Sequence, residues 1–228
     1  MKGKISDIKG RMVLDSRGLP TVEADVILED GTICSAISPS GASKGMNEAH
    51  EKRDGDNFFM GQSVTKNVNY INSFLRKALI GMDAEDQEKI DKQLNTLDGT
   101  NSKSNIGSNT SIAVSMAVMK AAAKSNKLEL WQYLSGNKKV DLPLPEVQII
   151  GGGLHAKGSV SIQDFLIIPN GAPNFIIALE WIFKIYCKTG ELLRNVNKLS
   201  GVADEGGFWP NFQSNEEVLI FLTNAIHK

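Results

Sequence analysis

At 228 residues, with 25 Lys and Arg against 26 Asp and Glu, the chain has a net charge of −1, which leaves no electrostatic footprint for a nucleic acid or an anionic membrane surface. Apolar residues make up 41% and charged residues 22%, as in ordinary globular domains, and no apolar run approaches the ~20 residues of a membrane helix. Two cysteines, Cys34 and Cys187, are too few for a disulfide scaffold, and Met1 to Ser6 has no signal-peptide core, so a reducing cytoplasm is the expected compartment.

Residues Ile5 to Ser38 predict a three-stranded meander. Val22, Ala24, Val26 and Leu28 alternate with Glu23 and Asp25, and Glu29-Asp30-Gly31 supplies the positive φ angles of a hairpin turn. From Ser63, the positions Val64, Val68, Ile71, Leu75 and Leu79 step by three and four, the spacing of one helical face. Asp83 is the expected cap of a second helix, with Glu85 and Asp86 in its first turn and Gly99 past its end. A third helix runs from about Asn109 to Ser125, with Met116 and Met119 expected in the core. Strands followed by helices predict an α+β domain over residues 1–134, and Ser135 to Lys139 is a polar connector.

The second segment, 135–228, opens with an apolar run, Val147 to Ile150, that breaks at Gly151-Gly152-Gly153. His155 follows, then Gln163-Asp164 leads into Phe165-Leu166-Ile167-Ile168. This is strand, loop, strand, and the polar groups suit a site that closes over something; a plain hairpin with a solvated loop accounts for the same residues equally well. Asn174 begins a long helix with Phe175, Leu179, Ile182, Phe183 and Tyr186 expected on its buried side, Cys187 in the core and Trp181 packed. Ser200 to Ala203 reads as a short strand. It ends in Asp204-Glu205-Gly206-Gly207, an acidic pair suited to general acid or base work or to a solvated turn. Ser214 and Glu217 form a capping box for a last helix. Pro39 to Gly45 offers hydroxyls and carbonyls that suit a hard cation such as Mg²⁺, although alone it is more commonly a tight surface loop.

In order, Leu14-Asp15-Ser16-Arg17-Gly18, Pro20-Thr21-Val22-Glu23, Pro39-Ser40-Gly41-Ala42-Ser43, Arg53-Asp54-Gly55-Asp56, Leu97-Asp98-Gly99-Thr100, Gly152-Gly153-Leu154-His155-Ala156, Gln163-Asp164-Phe165 and Asp204-Glu205-Gly206-Gly207 resemble the enolase family. The resemblance implies an α+β N-terminal domain (three-stranded meander plus helices, 1–134) followed by the first part of an enolase-type (β/α)8 barrel over 135–228. That barrel is incomplete, because a whole one takes roughly 200–250 residues. It further implies a glycolytic lyase, phosphopyruvate hydratase, which reversibly dehydrates 2-phosphoglycerate to phosphoenolpyruvate with a lysine base and Mg²⁺. By motif match Glu205 is the general acid, Ser43 binds the second Mg²⁺, His155 rides the closing loop, and Gln163 and Asp164 line the substrate pocket. The implied partners are a small phosphorylated carboxylic acid and either a homo-oligomer or a second chain that completes the barrel.

Nothing in the sequence matches the lysine base or the carboxylates of the first Mg²⁺, so the chain alone is not expected to dehydrate 2-phosphoglycerate. Near the implied pocket, Asp164 stands where most of the family has Glu, which draws the carboxylate back by about 1.5 Å. Gln148 and Gly151 replace asparagines, and Trp209 adds bulk. These departures imply, as alternatives, a paralogue acting on another phospho- or phosphono-carboxylic acid, or a non-catalytic copy that pairs with an intact enolase. Trp209 is the aromatic expected to touch ligand.

Overall fold

The computed structural model describes residues 3–41, 44–136, 138–153, 160–203 and 205–228. The chain divides into two compact units, Met1–Lys139 and Val140–Lys228.

In the first unit β1 (Ile5–Leu14), β2 (Pro20–Leu28) and β3 (Ile33–Ser38) form an antiparallel sheet with β2 in the middle. The expected alternation holds: Val22, Ala24 and Val26 are fully buried. Asp25, on the other face, pairs with Arg11 and accepts from Ser35 Oγ at 2.6 Å. A helical run lies along β1, formed by α1 (Thr65–Tyr70), a π-helical turn (Ile71–Leu75) and α2 (Arg76–Leu79). Gly10 permits its close approach, since a Cβ there would sit 2.8 Å from Ile71 Cβ. Asn72, on the π-turn, accepts from Gly10 N–H at 2.8 Å and donates to Gly10 O at 3.0 Å, replacing the strand partner that β1 lacks on this edge.

The cap of α3 (Gln87–Asp98) corrects the expectation. Asp86, not Asp83, accepts from Lys89 N–H, while Asp83 steadies the preceding turn through Glu85 N–H. Asp98, 1% exposed, accepts from the amides of Ile106 (2.8 Å), Thr100 (3.0 Å) and Asn105 (3.1 Å). Burial pushes its carboxyl up, but these bonds outweigh it and hold it below the usual carboxylate range. On α4 (Ser108–Ser125), which packs on β2 and β3, the buried face carries Ala113, Val114, Ala117, Val118, Ala121 and Ala122. Met116 therefore falls on the outer face, 39% exposed, against its expected place in the core. The short α5 (Leu130–Ser135), opened by reciprocal Glu129 and Gln132 contacts, was not anticipated.

The second unit contains β4 (Val147–Gly151), β5 (Asp164–Ile167), α6 (Phe175–Asn195), β6 (Leu199–Val202), β7 (Phe208–Pro210) and α7 (Asn215–Ile226). Its sheet runs β5-β4-β7-β6, with β4–β7 parallel and the other pairs antiparallel; among the described residues it is open, not a closed barrel. Asn174 caps α6 as expected, and Ile182 and Tyr186 of the predicted face pack into the core, but the buried stripe turns away from Leu179 and Phe183. Ala178, Ile182, Gly190 and Leu193 are buried, while Phe183 is 67% exposed and Trp181 and Cys187 are also exposed. The cause is Gly190, where a Cβ would come within 2.5 Å of Phe208 Cζ. The helix seats its one glycine on the Phe208 ring, and the seat fixes its rotation. Ser214 Oγ accepts from Glu217 N–H at 3.2 Å at the start of α7, but Glu217 turns to Gln213 N–H and Lys198 instead of closing the box on Ser214. No helix among the described residues is long and apolar enough to cross a membrane.

Candidate active site

The chain reverses between β6 and β7 through the acidic turn that the sequence singles out. Ala203 N–H donates to Gly207 O at 2.8 Å and Gly206 N–H to Ala203 O at 2.9 Å. Gly206 adopts φ +94°, which favours glycine. Glu205 rides this turn on the surface. Two side chains from elsewhere in the unit hold the turn. Tyr186 O–H on α6 donates to Gly206 O at 2.9 Å while its ring stacks on Phe208 with centroids 4.3 Å apart. From β4, Gln148 Oε1 accepts from Gly207 N–H at 2.9 Å. Gly207 has to be glycine for that approach, since a Cβ would lie 2.3 Å from Gln148 Oε1.

The same Gln148 reaches the other predicted carboxylate. Asp164 begins β5 opposite Gly151. Gln148 Nε2 donates to Asp164 Oδ1, and Gln163 Nε2 donates to Asp164 Oδ2 at 3.2 Å. One amide thus links β4, β5 and the Glu205 turn. Sequence reasoning treated Gln148 only as a departure from the family. Its signal was a polar side chain inside the run Val147 to Ile150, too weak without the fold to identify what it grips.

Gln163, Asp164 and Glu205 therefore belong to one linked constellation within the second unit. Ser43, His155 and Asp204 lie outside the described residues. Trp209 lies over Gly201 of the paired strand, where a Cβ would meet its ring at 3.4 Å, a packing role within the hairpin. A cleft of about 310 Å³ opens beside the constellation, lined by Gln148, Leu179, Ile182, Phe183, Tyr186 and Glu205. A larger groove of about 570 Å³ between α6 and α7 carries Lys184 and Lys188, but these pair with Glu180 and Glu191 and the matched motifs do not reach it. Chemistry, not size, selects the smaller cleft.

Among the described residues, no three His, Cys, Asp or Glu side chains come together as a metal site, and both Asp164 oxygens already accept amide protons. The described residues therefore do not fit a Mg²⁺ centre on their own. In the described part of the serine loop, Ser40 Oγ donates to Glu51 at 2.7 Å and Arg17 to Ser40 O.

Comparison with known proteins gives the same family across both units. Residues 5–134 match the family model "Enolase, N-terminal domain", and residues 139–228 match "Enolase, C-terminal TIM barrel domain". The chain is 46% identical over 224 residues to "Enolase 1" of Desulfitobacterium hafniense (strain Y51), covering 98% of this chain and 51% of that protein. It is 45% identical over 225 residues to "Enolase" of Ehrlichia canis (strain Jake), covering 98% and 53%. The chain spans about half the length of the curated relatives it matches.

Proposed function

This chain belongs to the enolase family, and from that premise we propose that it supplies the acid side of an enolase-type lyase, the reversible dehydration of 2-phosphoglycerate to phosphoenolpyruvate in glycolysis. Glu205 is the general acid that protonates the departing hydroxyl, His155 covers the substrate, and Gln163 and Asp164 form the pocket wall. The lysine base and the carboxylates of the first Mg²⁺ have no match in these residues, so the chain alone does not turn over 2-phosphoglycerate. Ser43 would give one Mg²⁺ a ligand, and bound Mg²⁺ would offset charge on the enolate. The observation that carries the proposal is the Gln148 bridge, which holds Asp164 and the Glu205 turn in one frame.

The test is a chimera in which these residues replace the matching half of the Desulfitobacterium relative. It is expected to dehydrate 2-phosphoglycerate, and Glu205→Gln is expected to lower kcat by about 10²–10⁴-fold, the range of a lost general acid. A folded chimera with no activity, or one indifferent to Glu205→Gln, overturns the reading, as does turnover by the isolated chain.

One observation favours a second reading, a paralogue acting on another phospho- or phosphono-carboxylic acid. Asp164 is held by Gln148 and Gln163, so a substrate that needs this carboxylate must displace an amide. In the chimera, Asp164→Glu raises activity on 2-phosphoglycerate if the change is drift, and leaves it unchanged if the pocket suits another acid.

A further inference from the structure

Val160 to Gln163 lead into β5, the edge strand of the second sheet. The end of β4 gives this segment one hold. Gly152 N–H donates to Gln163 O at 2.6 Å and Gly153 N–H to Val160 O at 2.9 Å. The approach is tight, since a Cβ on Gly152 would lie 2.0 Å from Ile162 O. A second hold comes from α7. Asn215, its first residue, uses both ends of its amide: Oδ1 accepts from Ile162 N–H at 3.1 Å, and Nδ2 donates to Ser161 Oγ at 2.8 Å. Ile162 N–H, ahead of the edge strand, thus finds its acceptor on a side chain and not in the sheet.

The mount of that side chain is firm. Val218 and Leu222 seat α7 in the core of the unit. Ser214 caps the first turn, so the Asn215 amide serves another segment and not its own helix. In chain order α7 follows β7, the strand that leaves the Glu205 turn. The two sides of the constellation are therefore linked twice, through Gln148 and through Asn215. We propose that Asn215 is a positioning residue for the pocket wall. By fixing Ser161 and Ile162 it sets where Gln163 and Asp164 stand before a substrate arrives, acting through the backbone and not by contact. The proposal rests on the enolase-type reading of Gln163 and Asp164 as that wall.

The test compares two variants. Asn215→Leu keeps the bulk and removes both bonds. Asn215→Asp keeps an acceptor for Ile162 N–H and can accept from the Ser161 hydroxyl. In the 228-residue chain, residue-resolved hydrogen exchange should show the Ile162 and Gly152 amides losing about tenfold in protection in Asn215→Leu. The Leu222 amide inside α7 should be unchanged, and Asn215→Asp should restore the parent pattern. In the chimera with the Desulfitobacterium relative, Asn215→Leu should raise KM for 2-phosphoglycerate about tenfold with kcat nearly unchanged, the mark of lost placement in the ground state. Asn215→Asp should return KM to the parent value.

Unchanged protection at Ile162 and Gly152 overturns the proposal, as does an equal loss throughout α7, which makes Asn215 a helix opener only. So does an unchanged KM in a chimera that responds to Glu205→Gln. A chimera indifferent to Glu205→Gln overturns the enolase reading instead, and the exchange pattern then decides the placement by itself. If circular dichroism shows Asn215→Leu unfolded, Ser161→Ala takes its place. It removes one of the two bonds and should lower Ile162 protection about threefold; no change there rejects the proposal.

Discussion

Replacing Gln148 with leucine removes both arms of the bridge at nearly constant volume. The buried Gly207 N–H loses its acceptor, a loss that costs about 1–3 kcal/mol when no water replaces it. Asp164 is half-buried and keeps Gln163, so the second arm adds about 1 kcal/mol or less. Local opening of the turn therefore becomes easier by roughly 2–3 kcal/mol, or about 30–150-fold in amide protection at 1.36 kcal/mol per decade. Residue-resolved hydrogen exchange measures this at Gly207, with the Ile106 amide in the first unit as control. Gln148→Glu separates the arms, since it retains an acceptor for Gly207 but sets a carboxylate against Asp164. Gly207 should stay protected there more than in Gln148→Leu. Unchanged Gly207 protection in Gln148→Leu refutes the bridge, and an equal loss at every amide of the second unit assigns Gln148 a packing role.

Three further substitutions probe the frame. Asp98→Asn turns amide protons toward the donors of Ile106 and Asn105 and should cost about 3 kcal/mol at neutral pH. Because the folded pKa of Asp98 is lowered, its contribution is full above the unfolded value and disappears as pH falls through the folded one. The gap between variant and parent in urea titrations should narrow on acidification, and a constant gap refutes the role of charge. Gly190→Ala gains about 1 kcal/mol of helix propensity but drives a Cβ to 2.5 Å from a Phe208 ring already stacked by Tyr186. Overpacking of about 1–3 kcal/mol should win and lower the thermal midpoint; a higher midpoint refutes the proposed seat of α6. Gly10→Ala should cost about 2 kcal/mol through its clash with Ile71, and a variant that melts with the parent shows that the helix run can retreat from β1.

What the sequence made legible was what is local. The alternation of β2, the Asp30-Gly31 turn and the strands β4 and β5 each follow from patterns within a few residues, and each formed where expected. The rotation of α6 was hidden because Gly190 meets a ring 18 positions later, at Phe208. The cap of α3 was misassigned because Asp83 and Asp86 are both competent caps, and only the path of the chain selects one. Within the candidate site, Glu205, Gln163 and Asp164 stood out because each lies at a strand end, where side chains can gather. Gln148 did not, because its role depends on contacts 16 and 59 residues away.

The Glu205 turn is tied through its backbone to β4 by Gln148 and to α6 by Tyr186, elements seated in the core through Ile149, Ile150 and Ile182. A general acid has to be held in place before the leaving group arrives. In the proposed role, Glu205 would inherit that placement from packing that no ligand has to induce. Asp164 is held through its carboxylate, with an amide on each oxygen. These amides spread its negative charge, so in the proposed pocket an anionic substrate would meet less repulsion than a bare carboxylate would give. A hydroxyl seeking an acceptor there has to break an existing bond, and recognition at this wall should therefore favour the charge of the substrate over its hydroxyl pattern.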